Sequence, residues 1–380
     1  MKRALPFLQM EYAARIQKVR TLMAERGIDL LLLVSPVTIN YLTGCLSRGP
    51  KYFALPRESE PAILAFQLER PLVLYSSWLD HCETFETGEN EFQAARRWLE
   101  RRGLLKGTIG VEWDSHHVSA ETVSALVGAL AGSEVVDGSG IVKRVMQTKS
   151  PQEIAYIRTA GTLSAKGMAA AVDAIKPGVT DNEVAAEAYH AMMAAGSEWL
   201  CSQPYVTTGA RSGIPHSTFH RVTINHGDPV FFEMSGVYER YNCPLMRTAF
   251  LGEPPEGAVT LAKAAMAALE TVLATCKPGV IAEDVAAGAS KQLPLDDPEI
   301  VFHHWYGYSI GIGFPPGWED DPSARLLRGQ EFALEPGMVF HIPMSLRRDA
   351  KYGFCVDETI LITDTGCEVL GDFSRQLIFK

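Results

Sequence analysis

Lys176-Pro177-Gly178-Val179 returns as Lys277-Pro278-Gly279-Val280, and Val184-Ala185-Ala186 returns as Val285-Ala286-Ala287, both at an offset of 101 residues. Each copy joins a preceding Ala-rich helix to a following one, and strands come next. Two copies are too few for a solenoid, which needs three or more units. They predict instead a domain of two similar halves with a cleft between them.

Between the copies, residues 213–252 read GIPHSTFHRVTINHGDPVFFEMSGVYERYNCPLMRTAFLG. His216 precedes an apolar strand, Pro229 to Met234, that carries an in-line acid, Glu233. A Gly-Val-Tyr turn is expected at 236–238, then a second strand ending in Arg247-Thr248. An acid inside Val230-Phe231-Phe232-Glu233-Met234 is costly to bury without a partner. Glu233 is therefore either a hydrogen-bonded residue at the strand edge or a functional group.

The 380-residue chain is long enough for two domains with a sizeable core. Its net charge of -10 argues against nucleic acid or an anionic membrane as the main partner, because both call for basic patches. The cluster Arg96, Arg97, Arg101 and Arg102 has the spacing of a solvated helix face. The longest aliphatic run, Leu30 to Val34, is too short to cross a bilayer, and Gln9 and Glu11 interrupt the signal-like start, so no spanning or secretory segment is expected. Seven cysteines (45, 82, 201, 243, 276, 355, 367) without a CxxC pair suit reduced thiols in a cytoplasm.

In chain order, Tyr12, Ile16, Val19 and Met23 make an amphipathic helix over Glu11 to Arg26 that Gly27 stops. A buried strand is expected over Ile28 to Val34, with further strands at Tyr52 to Leu55, Ala62 to Ala65, Leu72 to Tyr75 and Thr108 to Glu112. A helix is expected near Phe92 to Arg102. The alternation predicts an α/β domain over residues 1–145. A capping box with proline at the first helical position, Ser150-Pro151-Gln152-Glu153, opens the domain over residues 146–380.

Several segments together resemble the creatinase/aminopeptidase P/prolidase family. They are Asn40-Tyr41-Leu42-Thr43-Gly44, His216, Gly227-Asp228, Arg247-Thr248, Gly307-Tyr308-Ser309-Ile310-Gly311, Gly337 to Pro343, and Val356-Asp357-Glu358-Thr359. The resemblance implies an α/β fold with an N-terminal creatinase-like domain and a C-terminal pita-bread domain of pseudo-twofold α+β build. At the family's five metal-ligand positions stand Glu233, Pro244, Tyr308, Pro343 and Asp357. Two carboxylates are too few to bridge and hold two divalent ions. The chain is expected to bind no metal and no cofactor, and it looks closer to the metal-free ectoine hydrolase/creatinase branch.

That likeness implies hydrolysis of an amide- or amidine-type carbon-nitrogen bond in a small zwitterionic metabolite. Met246 and Pro343 stand where creatinase carries its paired glutamates, which argues against creatine as substrate. The loop after Gly44 lacks the aromatic-rich character of ectoine hydrolase. Without a metal, side chains must activate water and protonate the leaving nitrogen. His216 matches the family's catalytic histidine. Glu233, Glu358 and Asp357 are candidate carboxylates on facing strands, with base and binding roles open between them. Tyr308 is a candidate donor to an anionic intermediate.

Candidate substrate binders are Arg240, Trp318 and His304, with core packing as the alternative for the last two. Arg247 either binds a carboxylate or braces the strands. The loop Cys45 to Tyr52 offers Arg48 and Lys51, either as a solvated basic loop or as a contribution to the neighbouring site of a homodimer. Two other readings stand beside this one: a metal-dependent Xaa-Pro peptidase with an altered ligand set, and an inactive pita-bread binding protein.

Overall fold

The structure is a computed structural model, and residues 3–380 are described. The chain divides into two compact units, the first ending at Met146 and the second running Gln147–Lys380.

In the first unit, α1 (Gln9–Glu25) is followed by β1 (Leu30–Leu33), α2 (Pro36–Thr43), β2 (Lys51–Pro56), β3 (Ala62–Phe66) and α3 (Arg70–Ser76). Then come β4 (Glu83–Phe85), α4 (Glu91–Arg101), β5 (Thr108–Val111), α5 (Ala120–Ala129), β6 (Glu134–Asp137) and α6 (Ile141–Met146). The strands form one mixed sheet in the order β4-β3-β2-β1-β5-β6. The stripe Tyr12, Ile16, Val19 and Met23 on α1 is buried as expected. Leu72 to Tyr75, expected as a strand, lies instead in helix α3. Its run of four apolar residues is too short to separate the two periods. Pro71 sits in the first turn, where it costs no hydrogen bond, and Val73 and Ser76 alone are buried.

The second unit opens with α7 (Pro151–Ala174), whose capping box is formed in both directions by Ser150 and Glu153. Next are α8 (Asp181–Ala194), β7 (Tyr205–Thr208), a 3-10 turn at Gly209–Gly213, β8 (Pro229–Tyr238) and β9 (Tyr241–Phe250). The turn between β8 and β9 is Glu239-Arg240, both at positive φ (47° and 68°), whereas Gly236, Val237 and Tyr238 belong to the strand. The expected Gly-Val-Tyr turn is thus displaced. The tight hairpin needs two left-handed residues, and these two supply them. The chain continues with α9 (Ala258–Thr275), α10 (Ala282–Ser290), β10 (Ile300–Val301), β11 (Tyr308–Phe314), β12 (Gly317–Arg325), β13 (Val339–Arg348), β14 (Tyr352–Ile362), β15 (Cys367–Val369) and β16 (Ile378–Phe379).

The main path of the second sheet is β15-β14-β13-β11-β9-β8-β7, with β10 on β13, β12 on β11 and β16 on β9. The repeat read in the sequence is a repeat of structure. Gly178 N–H donates to Ile224 C=O at 3.0 Å and Gly279 N–H to Leu334 C=O at 2.9 Å. Ile224 and Leu334 each donate back to the valine after the Lys-Pro-Gly turn, at 2.8 Å. Both turn glycines lie at positive φ, 88° and 82°, where a side chain is disfavoured.

Side-chain alternation divides each strand between two faces. Phe340, Ile342, Met344 and Leu346 of β13 share a core with Leu261, Ala265, Leu269 and Val272 of α9. Gly236 of β8 lies against Ala160, Leu163 and Ser164 of α7. The other face carries Glu233, Met246, Tyr308, His341, Pro343, Ser345, Arg347, Cys355 and Asp357, as the registers Glu233↔Met246, Tyr308↔His341, Pro343↔Asp357 and Ser345↔Cys355 require. Helix α9 is long and apolar enough to cross a membrane by length and composition, which the sequence reading did not anticipate. Its buried residues, from Ala258 to Val272, pack into the sheet.

Candidate active site

His341 is the centre of the helix-free face and has no solvent exposure. Its Nε2 lies 2.5 Å from Asp357 Oδ2 and its Nδ1 2.7 Å from Tyr308 Oη. Trp318 Nε1–H donates to the same phenolic oxygen at 2.9 Å. Arg247 Nη1 donates to Asp357 Oδ1 at 2.8 Å, a charge-assisted contact. The proton of a neutral His341 is therefore assigned to Nε2, facing Asp357, and Nδ1 accepts from Tyr308. The result is an ordered chain, Tyr308–His341–Asp357–Arg247.

Tyr308 is half-buried. Burial holds its pKa well above the usual value, and the nearby charge of Glu233 adds to this. The hydroxyl expected to donate to an anionic intermediate is already committed to His341. Trp318, 6% exposed, anchors that hydroxyl rather than presenting its indole N–H to a ligand.

Glu233 is half-buried on β8. Desolvation raises its carboxyl pKa and the Asp357 charge raises it further, against opposing effects of His341 and Arg347. It is the carboxylate on this face that no ion pair holds among the described residues.

Glu358 belongs to the opposite face, one residue on from Asp357 along β14. Its Oε1 is 3.2 Å from Arg247 Nη2 and 3.4 Å from Arg375 Nε. Burial outweighs these cations and pushes its pKa up to about 7. Arg247 also donates to the carbonyls of Met246, Asp357, Phe373 and Ser374 at 2.8–3.0 Å, so of its two readings it takes that of a brace.

The other expected residues are spread more widely. His216 is exposed in a turn at φ 57°. It lies close enough to His303 for its charge to be felt there, alongside Arg347, His341 and His304. His303 is solvent-accessible yet walled by protein. Desolvation first, then the charge of Arg347 and the nearness of the other histidines, lower its pKa and leave it neutral. His304 is exposed at φ 59°, edge-on to Phe302 at 5.6 Å.

Arg240, expected to bind substrate, sits in the β8–β9 turn with its donors taken by the chain itself. It donates to Gly313 C=O at 2.8 Å, Trp199 C=O at 2.7 Å and Cys201 Sγ at 2.9 Å, pairs with Glu198 at 3.3 Å, and stacks 3.6 Å from the Trp199 ring centre. Arg48 and Lys51 belong to the first unit. Lys51 is buried, with Nζ 3.4 Å from Gly49 C=O, which corrects the reading of a wholly solvated basic loop.

Sequence reasoning passed over His341 and Arg347. The signal was present: in β13, His341, Pro343, Ser345 and Arg347 alternate with Phe340, Ile342, Met344 and Leu346, a strand with one polar face.

Two family models match the chain: Metallopeptidase family M24 over residues 155–364 and the Creatinase/Prolidase N-terminal domain over residues 15–145. The chain belongs to metallopeptidase family M24. It is 32% identical over 403 residues to ectoine hydrolase of Halomonas elongata, covering 99% of each chain. To Xaa-Pro dipeptidase of Pyrococcus furiosus it is 24% identical over 370 residues, covering 96% of this chain and 99% of that one. The prolidase of Thermococcus sibiricus superposes with a TM-score of 0.87 at 20% identity, covering 98% and 100%. The architecture is accordingly an N-terminal creatinase-like domain followed by an M24 pita-bread domain.

M24 peptidases imply a metal pair, and the residues here do not fit one. Pro244 and Pro343 offer no side-chain donor. Tyr308 is bound to His341 and Trp318. Both oxygens of Asp357 are engaged, by Arg247 and His341. Among the described residues, no group of three or more His, Cys, Asp or Glu side chains is placed to hold a metal ion.

Proposed function

We propose that this M24 protein hydrolyses an amide- or amidine-type carbon-nitrogen bond in a small zwitterionic metabolite without a metal. The observation that carries the reading is the fate of the ligand positions. Two are prolines, and two more, Tyr308 and Asp357, are tied into a chain through His341. That leaves Glu233 as the unpaired carboxylate facing the substrate side of the sheet. The full-length likeness to an ectoine hydrolase supports the same reaction class.

In this reading Glu233 is the general base. Its raised pKa places it nearer neutrality, where a carboxylate is a stronger base. It takes a proton from water as the oxygen adds to the carbon of the C–N bond, then returns that proton to the nitrogen as the bond breaks. His216, at the rim with His303, is a second proton carrier for the leaving nitrogen. The Tyr308–His341–Asp357 chain keeps a fixed dipole beside Glu233. Glu358 and Arg247 hold β14 against β9 and take no part in proton transfer. The same reading takes the enzyme as a homodimer in which the loop bearing Arg48 completes the neighbouring site.

The test is turnover of a panel of ectoine, creatine, N-acyl amino acids and a Xaa-Pro dipeptide by wild type, Glu233→Gln and His216→Ala. Cleavage of a non-peptide compound, lost in Glu233→Gln, is the expected result. Cleavage of the dipeptide alone would favour the peptidase reading that the Pyrococcus relative suggests.

A further inference from the structure

Arg347 is 7% exposed, and the partners of its guanidinium among the described residues are a backbone carbonyl and an aromatic ring, with no ion pair to a carboxylate. Among the described residues its one hydrogen bond is from Nη1 to the backbone C=O of Ser212 at 2.5 Å. Its guanidinium lies over the ring of Phe231, 4.2 Å from the centroid. Burial lowers its pKa, opposed by Cys355 and Glu233, but an arginine at this depth is still charged. A buried, charged guanidinium with donors to spare is costly unless something completes it.

Its position says what. Arg347 shares the helix-free face of β13 with His341, and it is near enough to Glu233 and to His303 for each to feel its charge. It is therefore a neighbour of the proposed base without being paired to it. The Phe231 ring packs on the guanidinium, and the N–H groups other than the one given to Ser212 are left for a planar, two-oxygen acceptor. Glu233 and Asp357 on the same face would repel a dianion about twice as strongly as a single carboxylate, which favours the singly charged acceptor.

We infer that Arg347 binds the carboxylate of the substrate, which is then an amino-acid-like compound held by that carboxylate with its C–N bond presented to Glu233. This rests on the hydrolase reading above and names its substrate class.

The test uses the full chain and reads the rise in thermal midpoint with millimolar ectoine, creatine or N-acetylglycine, each against its neutral carboxamide. At least one acid should raise the midpoint of the wild type and its amide should not. Arg347→Met should abolish the response, and Arg347→Lys should keep a response weakened roughly tenfold or more in apparent affinity, because the planar fork is lost while the charge stays. The Lys variant and the acid-amide comparison in wild type stand even if the Met variant does not fold. The inference is overturned if no acid stabilises the wild type, if acid and amide act alike, or if Arg347→Met responds as wild type does. Turnover separates the two claims. Cleavage that does not discriminate acid from amide removes the carboxylate inference alone, and acid-specific binding without cleavage removes the hydrolase reading alone.

Discussion

Glu233 and Glu358 show how two carboxylates with raised pKa values differ in consequence. For Glu233 the base must be ionised, so activity should climb with pH through a limb lying above the ordinary value of 4.5. Glu233→Gln should lower kcat by about 10²- to 10⁴-fold and remove that limb. A pH–rate profile whose acid limb survives in the Gln variant would assign it elsewhere. For Glu358 the effect is on stability. Its pKa is about 7 folded against 4.5 unfolded, so the folded state binds more protons between those values. Its contribution is full at low pH and is lost as pH rises from 4.5 to 7, at no more than about 1.4 kcal/mol per pH unit. Denaturant midpoints measured across that range should fall less in Glu358→Gln than in wild type; equal slopes would mean that the ion pairs with Arg247 and Arg375 dominate.

At the scale of elements, the sheet is held to its helices by close approach of backbone. A Cβ on Gly236 would stand 2.5 Å from Leu163 Cβ and 2.8 Å from Ala160 C=O of α7, neither able to move without shifting the helix. Gly236→Ala should therefore cost about 1–3 kcal/mol by denaturant unfolding, and a neutral result would show that α7 can slide. These contacts also mark what was legible beforehand. The capping box of α7, the Lys-Pro-Gly turns and the strand bearing Glu233 rest on local chemistry, and the sequence displays them openly. The chain through His341 does not. It joins β11, β12, β13, β14 and β9, and no short-range pattern announces which side chains of five strands will meet. Leu72 to Tyr75 went wrong for a simpler reason: four apolar residues fit both periods, and a proline in the first turn decided for helix.

At the scale of the molecule, the repeat at an offset of 101 residues built two halves that no longer carry the same chemistry. One half contributes Glu233; the other contributes Tyr308, His341, Arg347 and Asp357. Family M24 keeps the scaffold, and in this chain prolines and a hydrogen-bonded tyrosine occupy ligand positions. The central claim is that such a face works without an ion. The most direct measurement is turnover of the substrate panel by protein exhaustively stripped with chelator, with residual metal quantified in the same sample. The account predicts undiminished cleavage of a non-peptide carbon-nitrogen compound at metal contents far below one ion per chain. Activity that disappears on stripping and returns with manganese or cobalt would contradict it.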